Sequence, residues 1–275
     1  MIEHLLEHID RLIQQRPVCK EVLESYRELA SLMKKVEPEP QDIRFEDRLK
    51  DMKKEEGFPL FSREDIPVDL EASSELFAKF IEHLSNTERE DRDGLKKVLE
   101  KSKSDSGWTD SLFKTVLRKD DKALSKTGKE VDLDPATLSF LAQVALRPSL
   151  YALRDAASDR IDKEHWNYGY CPVCGSEPDM ACFAKTGKRY LHCELCGQEW
   201  AYHRLKCPFC RNEEHKTLGY FEAEQEEGLR VDFCRQCMKY LKTVDKRVFE
   251  EAAPMELENL ATIHLDMLAN EHGFK

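Results

Sequence analysis

The 275-residue sequence has no excess of positive charge. Its 43 lysines and arginines face 54 aspartates and glutamates, giving a net charge of -11. Residues 1–165 carry 29 basic and 36 acidic side chains, and residues 166–275 carry 14 and 18, so neither half is basic. Such a balance offers no broad attraction to nucleic-acid phosphate, and no nucleic-acid partner is expected. No apolar run is long enough to span a bilayer, which argues against stable membrane insertion. The start, Met1–Asp10, is charged and unlike a secretory leader. A reducing cytoplasm is the default expectation, and structural disulfides are disfavoured there. No phosphate-binding loop, catalytic triad or nucleotide motif is present, which points away from an enzyme. Residues 1–165 are also almost free of cysteine, holding Cys19 alone.

The other nine cysteines lie in residues 166–275, and eight form Cys-x-x-Cys pairs. These are Cys171/Cys174, Cys193/Cys196, Cys207/Cys210 and Cys234/Cys237. Two such pairs make one four-thiolate site, so eight cysteines imply two tetrahedral metal sites. A tight turn between paired cysteines can aim both sulfurs at one ion, with backbone donors offsetting their charge. Eighteen residues separate Cys174 from Cys193 and twenty-three separate Cys210 from Cys234, against ten between Cys196 and Cys207. The longer gaps can each hold a hairpin that folds one knuckle onto the other. Strand-forming residues fill Lys188–His192, Gln198–Arg204, Thr217–Glu222 and Leu229–Phe233. The spacing therefore assigns Cys171, Cys174, Cys193 and Cys196 to site one. Cys207, Cys210, Cys234 and Cys237 form site two. A crossed pairing of the knuckles is the alternative.

Glycine follows the first two knuckles as Gly175 and Gly197, where a positive φ is cheap. Arg211 and Met238 follow the other two, which are expected either to be less regular or to hold these residues at accessible angles. Cys19 and Cys182 are left over and read as ordinary packed residues. Four thiolates accommodate zinc or a single iron, with iron–sulfur clusters the less fitting choice. A closed four-cysteine shell leaves no open position for hydrolytic zinc chemistry. Lys185, Lys188 and Arg189 read as a small solvated basic turn.

The cysteine distribution divides the chain. Residues 1–165 read as a mainly helical domain, 166–204 as a first metal ribbon, 205–250 as a second, and 251–275 as a terminal helix packed on the ribbons. Apolar residues recur at helical intervals in Ile2–Gln15, Cys19–Val36, Leu70–Leu84 and Glu88–Lys101. Shorter helices are expected over Arg44–Lys54, Trp108–Leu117 and Asp120–Thr127. The longest begins after Asp134-Pro135, a capping residue followed by the proline that suits a first helical turn. Pro148 either kinks it or divides it. Leu257, Leu260, Leu265 and Leu268 can anchor the terminal helix, which also carries His264 and Asp266. The fold class is thus a multidomain α and β protein: an irregular N-terminal helical domain followed by two zinc-ribbon-like modules.

Beyond these patterns, the sequence resembles the FdhE family of formate dehydrogenase accessory proteins. The likeness centres on Tyr170-Cys-Pro-Val-Cys-Gly-Ser176 and Arg189-Tyr-Leu-His-Cys-Glu-Leu-Cys196. It continues through Glu199-Trp200, Arg204, Cys207-Pro-Phe-Cys210, Cys234 to Cys237, and Leu260–Ala269. The resemblance implies rubredoxin-like metal modules, which adds mononuclear iron to the zinc expectation. It also implies a cytoplasmic accessory protein that binds the catalytic subunit of formate dehydrogenase and assists its maturation, without being the formate-oxidising enzyme. His192, Glu199, Trp200 and Arg204 become candidates for supporting the first cluster or contacting the client. Two other readings stand beside this one. The first is a rubredoxin-like redox protein that acts on the client or senses its oxidation state. The second, disfavoured by the acidic balance, is a nucleic-acid-binding zinc ribbon.

Overall fold

A computed structural model of the chain describes residues 2–39, 56–223 and 226–275. The short helix expected over Arg44–Lys54 lies outside them. The described residues divide into two compact units. One draws on Met1–Arg27, Phe45–Phe61 and Ala157–Lys275, the other on Glu28–Arg44 and Ser62–Ala156. The units thus interleave along the sequence.

The second unit is helical. After helices α1 (Ile2–Gln15) and α2 (Lys20–Met33), the chain forms α3 (Leu70–Ser85), α4 (Arg92–Ser104), α5 (Ser106–Arg118), α6 (Asp121–Val131) and α7 (Pro135–Ala156). Aspartates start four of them. Asp69 accepts from Ala72 N at 3.0 Å, Asp105 from Gly107 N at 3.1 Å, Asp120 from Ala123 N at 3.0 Å and Asp134 from Thr137 N at 2.9 Å. Each satisfies an amide that the first helical turn would otherwise leave open. Pro148 does not divide α7, which runs unbroken. The residues around it, from Val144 to Leu146 and from Ser149 to Tyr151, are all buried, so packing offsets the lost amide. Phe77, Phe80, Ile81, Val98, Phe113 and Leu138 are fully buried, with the Phe77 and Phe113 rings edge to face at 5.8 Å. Gly94 makes α4 fit: a Cβ there would overlap the carbonyl oxygen of Asp132.

The first unit holds a six-stranded sheet. Its strands are β1 (Pro178–Phe183), β2 (Arg189–Cys193), β3 (Glu199–Tyr202), β4 (Leu218–Glu222), β5 (Leu229–Cys234) and β6 (Tyr240–Asp245), in the order β3-β2-β1-β6-β5-β4. Each ribbon is a three-stranded antiparallel meander. The hairpin arms expected from sequence are β2, β3, β4 and β5. Strands β1 and β6 are additional, and they pair in parallel, with Met180 opposite Lys242 and Phe183 opposite Asp245. That seam merges the two ribbons into one sheet.

Apolar residues from both ribbons share a core. Met180 and Cys182 of β1 join Leu229, Val231 and Val244, together with Met255, Leu265 and Ala269. The last three come from α8 (Met255–Leu260) and α9 (Ile263–Glu271), two helices where the sequence suggested one. Residues 2–27 pack here as well. Arg16 Nη1 lies 2.6 Å from Glu258, with side chains only 10% and 2% exposed. Cys19 Sγ donates to the Ala261 carbonyl at 2.9 Å, and Tyr26 OH donates to Glu256.

Two substitutions test these packings. Arg16→Ala strands the Glu258 carboxylate in a buried site and should cost about 3–5 kcal/mol in the sheet unit. Chemical denaturation followed at a probe in residues 157–275 reads that loss, and a loss below 1 kcal/mol would show the pair to be solvated. Gly94→Ala should destabilise the helical unit by about 1–3 kcal/mol through overpacking. Its thermal transition should fall while the metal content of the protein stays unchanged.

Candidate metal centres

Each cysteine pair sits on a turn built to one pattern. The amide of the first cysteine donates to the carbonyl five residues on: Cys171 to Ser176 at 2.9 Å, Cys193 to Gln198 at 3.0 Å, Cys207 to Asn212 at 2.9 Å and Cys234 to Lys239 at 3.0 Å. The residue after the second cysteine donates back to the first, at 2.9, 3.2, 3.0 and 2.8 Å in chain order. Closing this turn requires a left-handed residue. Gly175 and Gly197 have φ of 71° and 67°, and Arg211 and Met238 adopt 62° and 59°. All four knuckles are therefore regular, and the last two reach that geometry without glycine.

These turns gather the sulfurs into two groups. Cys171, Cys174, Cys193 and Cys196 form one, and Cys207, Cys210, Cys234 and Cys237 the other; within each, all sulfurs lie within 4.8 Å of one another. Cys171–Cys196, Cys174–Cys193 and Cys174–Cys196 are 3.4–3.6 Å apart in the first group, and Cys207–Cys237 and Cys210–Cys234 are 3.7 Å apart in the second. A disulfide needs about 2.0 Å. A tetrahedron with metal–sulfur bonds of about 2.3 Å has edges of roughly 3.8 Å. The donor set therefore fits one tetrahedral ion per group, and the spacing leaves no room for a multi-iron core between the sulfurs. Backbone amides support the thiolates: Val173 N reaches Cys171 Sγ at 3.4 Å, and Leu195 N reaches Cys193 Sγ at 3.4 Å.

The two groups differ in access. All four cysteines of the first are fully buried. In the second, Cys207 and Cys234 are buried while Cys210 and Cys237 are half-buried. Burial pushes the Cys171, Cys193 and Cys207 thiols up. Burial also opposes ionisation of Cys234, but the Asn212 side chain, donating at 3.5 Å, and knuckle amides outweigh it and lower that thiol to about 7. Cys19 and Cys182 join neither group, and burial raises Cys182 to about 11.

The other candidates near the first group are placed as follows. His192 is buried, and its Nδ1 lies 2.7 Å from Asp179. Trp200 is fully buried, donating from Nε1 to the Tyr168 carbonyl at 3.0 Å. Glu199 is half-buried, 3.9 Å from Lys246. Arg204 is exposed, its guanidinium 4.8 Å from the Phe183 ring centre.

His192 begins a polar chain that sequence reading did not find. Asp179 also accepts from Asn259 Nδ2 at 2.9 Å. The Asn259 carbonyl accepts from Lys242 Nζ at 2.8 Å, and Lys242 pairs with Asp266 at 2.6 Å. Asp266 accepts in turn from Tyr240 OH at 2.8 Å. Lys242 is almost fully buried, and burial works against its charge while Asp266 favours it. The chain ties β1, β2 and β6 to both terminal helices. Arg189 is a second surprise. It is buried rather than part of a solvated turn, and Nη1 donates to the carbonyls of His203 and Lys206 at 3.3 and 3.2 Å.

Replacing Cys171 and Cys174 by alanine should remove one of two bound metals per chain, read by elemental analysis. In the unmodified protein a chelator should extract metal in two phases, the faster from the more open second group. A single phase, or two metals retained in the double variant, would contradict this assignment.

Comparison with known proteins follows the same residues. Residues 170–204 match the central domain of FdhE, and residues 205–275 match its C-terminal domain. An FdhE homolog of Aquifex aeolicus is 36% identical over 141 residues, covering 50% of this chain and 49% of that protein. The FdhE protein of Salmonella choleraesuis is 38% identical over 112 residues, covering 38% and 34% respectively. The chain spans about half the length of the first of these curated relatives, and less of the second. The crystal structure of the FdhE protein from Pseudomonas aeruginosa superposes with a TM-score of 0.70 at 23% identity, over 100% of this chain and 93% of that one, so the fold is shared. Residues 170–275 thus match the central and C-terminal domains of the FdhE family in unbroken succession.

Proposed function

We propose that this chain is an accessory protein that binds the catalytic subunit of formate dehydrogenase in the cytoplasm and assists its maturation to the active enzyme. The observation that carries this reading is the pair of four-thiolate groups fused into one sheet, in residues that match FdhE domains throughout. Four cysteines around one point leave no ligand position for a substrate, which suits a scaffold rather than a hydrolytic site. Among the described residues no helix is long and apolar enough to cross a membrane. Zinc would cross-link the ribbons, and a single iron would add a one-electron couple to the same shell.

A second reading is favoured by the half-burial of Cys210 and Cys237. With iron bound, that group would be the one open to electron exchange, and the protein would sense or adjust the oxidation state of its client. Elemental analysis paired with the optical spectrum separates the two readings, since zinc in both groups removes the redox one.

The test of client binding uses the full-length, metal-loaded chain. It should co-purify with the catalytic subunit and restore formate dehydrogenase activity in a bacterium lacking the accessory. The Cys171→Ala, Cys174→Ala double variant should fail to restore it at matched abundance. No association under either oxidising or reducing conditions would sink the proposal. A fragment starting near residue 163 is a poor substitute, because it would strip residues 2–27 from α8 and leave Glu256 and Glu258 without Tyr26 and Arg16.

A further inference from the structure

A cavity of about 410 Å³ opens beside Cys207 and Cys234 in the second ribbon. The chemistry of its wall is uneven. Three guanidinium groups, from Arg189, Arg204 and Arg230, share it with one carboxylate, Asp232. Asp232 is already committed: it lies 2.9 Å from Arg230 Nε and 3.5 Å from Arg189 Nη2, and accepts from Thr243 Oγ1 at 2.9 Å. Arg204 has no carboxylate partner among the described residues. The wall's two lysines are each held elsewhere, Lys206 by Glu213 and Lys239 by Glu177, both at 2.7 Å. Among its charged side chains the wall thus sets three guanidiniums against one carboxylate, a local excess of arginine beside the thiolate group, although the chain as a whole carries -11.

Arg189 sharpens the point. Its side chain is 4% exposed, and its Nε has no hydrogen-bond partner. A buried donor without a partner is costly, and burial also opposes the charge itself. An oxyanion in the cavity would offset the cost of burying that charge. The opposite character comes from Tyr220 and Phe233. Tyr220 is 58% exposed, an unusual setting for a large aromatic ring, and Arg230 covers its ring at 4.4 Å from the centre. An exposed ring backed by a guanidinium is a platform on which another planar group can stack. The volume lies within the range of small-molecule sites and well beyond what a bare oxyanion fills.

We propose that this cavity binds a small organic anion in which a phosphate is joined to a planar ring, a nucleoside monophosphate being the simplest example. The phosphate faces the Arg189 and Arg204 guanidiniums, and the ring lies on Tyr220. The occupant sits against Cys207 and Cys234, beside the more open thiolate group. This site is independent of the maturation role, because the argument uses only the cavity wall.

Calorimetric titration of the full-length, metal-loaded protein tests it, with AMP, adenosine and inorganic phosphate as probes. AMP should bind saturably at one site per chain, and adenosine or phosphate alone at least about tenfold more weakly. Arg204→Ala should lower AMP affinity about tenfold or more, the effect of one lost charge-assisted hydrogen bond. Tyr220→Ala should weaken AMP and leave phosphate unchanged. Both residues are exposed, so these variants should keep their metals and fold. No saturable AMP binding, or AMP binding indifferent to both substitutions, overturns the proposal. Phosphate binding as tightly as AMP overturns the planar half of it. A single-stranded oligonucleotide binding far tighter than AMP overturns it in favour of a nucleic-acid surface.

Discussion

Four thiols drawn to within 4.8 Å of one another, twice over, are the constraint on which the sheet unit depends. Buried thiols resist ionisation, as Cys171 and Cys193 show, and four like charges at that range repel. The arrangement becomes favourable when a cation shares the charge. Much of the local backbone follows from that. Each knuckle turns its amides toward sulfur and closes through a left-handed residue. For Arg211 and Met238 that conformation costs roughly 1–2 kcal/mol each. Structural zinc knuckles gain about 10–16 kcal/mol from coordination, several times this strain. Side chains can therefore occupy positions where glycine would be easier.

Coordination alone would give two small ribbons, each with little apolar surface of its own. The parallel β1–β6 seam changes that. Met180 and Cys182 from one ribbon and Leu229, Val231 and Val244 from the other become neighbours in a single core, closed by Met255 and Leu265. The polar chain from His192 to Tyr240 crosses the same seam. It buries a lysine with its partners already in place, which fixes the angle of the terminal helices more sharply than apolar packing alone. Residues 2–27 then add Arg16 and Tyr26 to the acidic side chains of α8.

Much of this was legible in the sequence, for physical reasons. Cys-x-x-Cys spacing is local, so the knuckles could be read directly; strand-forming residues on either side of Cys193 and Cys196 gave β2 and β3, and the long gap after Cys210 pointed to the hairpin β4–β5. Helix faces and the aspartate start at Asp134 are also local. The seam was not legible. Parallel pairing has no turn to announce it, and Met180 to Phe183 reads as an apolar stretch inside a metal loop. An amphipathic pattern tells that Ile2–Gln15 is a helix but not which body it covers. Arg189 misled because it follows Lys185 and Lys188, both exposed; its burial depends on the carbonyls of His203 and Lys206, which the fold alone brings near. The polar chain and the cationic cavity were hidden for the same reason, being assembled from residues distant in sequence.

The seam also imposes an order in time. Its two strands are the first and the last of the six, so β1 emerges from a ribosome long before its partner exists. At about 5–20 residues per second, the interval between them lasts several seconds. Throughout it, β1 presents an unpaired edge, and Met180 and Cys182 lack the residues that cover them in the finished fold. Cys171, Cys174, Cys193 and Cys196 are all available through most of that window, whereas Cys234 and Cys237 arrive only at its end. The first knuckles can thus capture their ion while the nascent chain is still half a sheet. The second ribbon grows against a template that is already cross-linked.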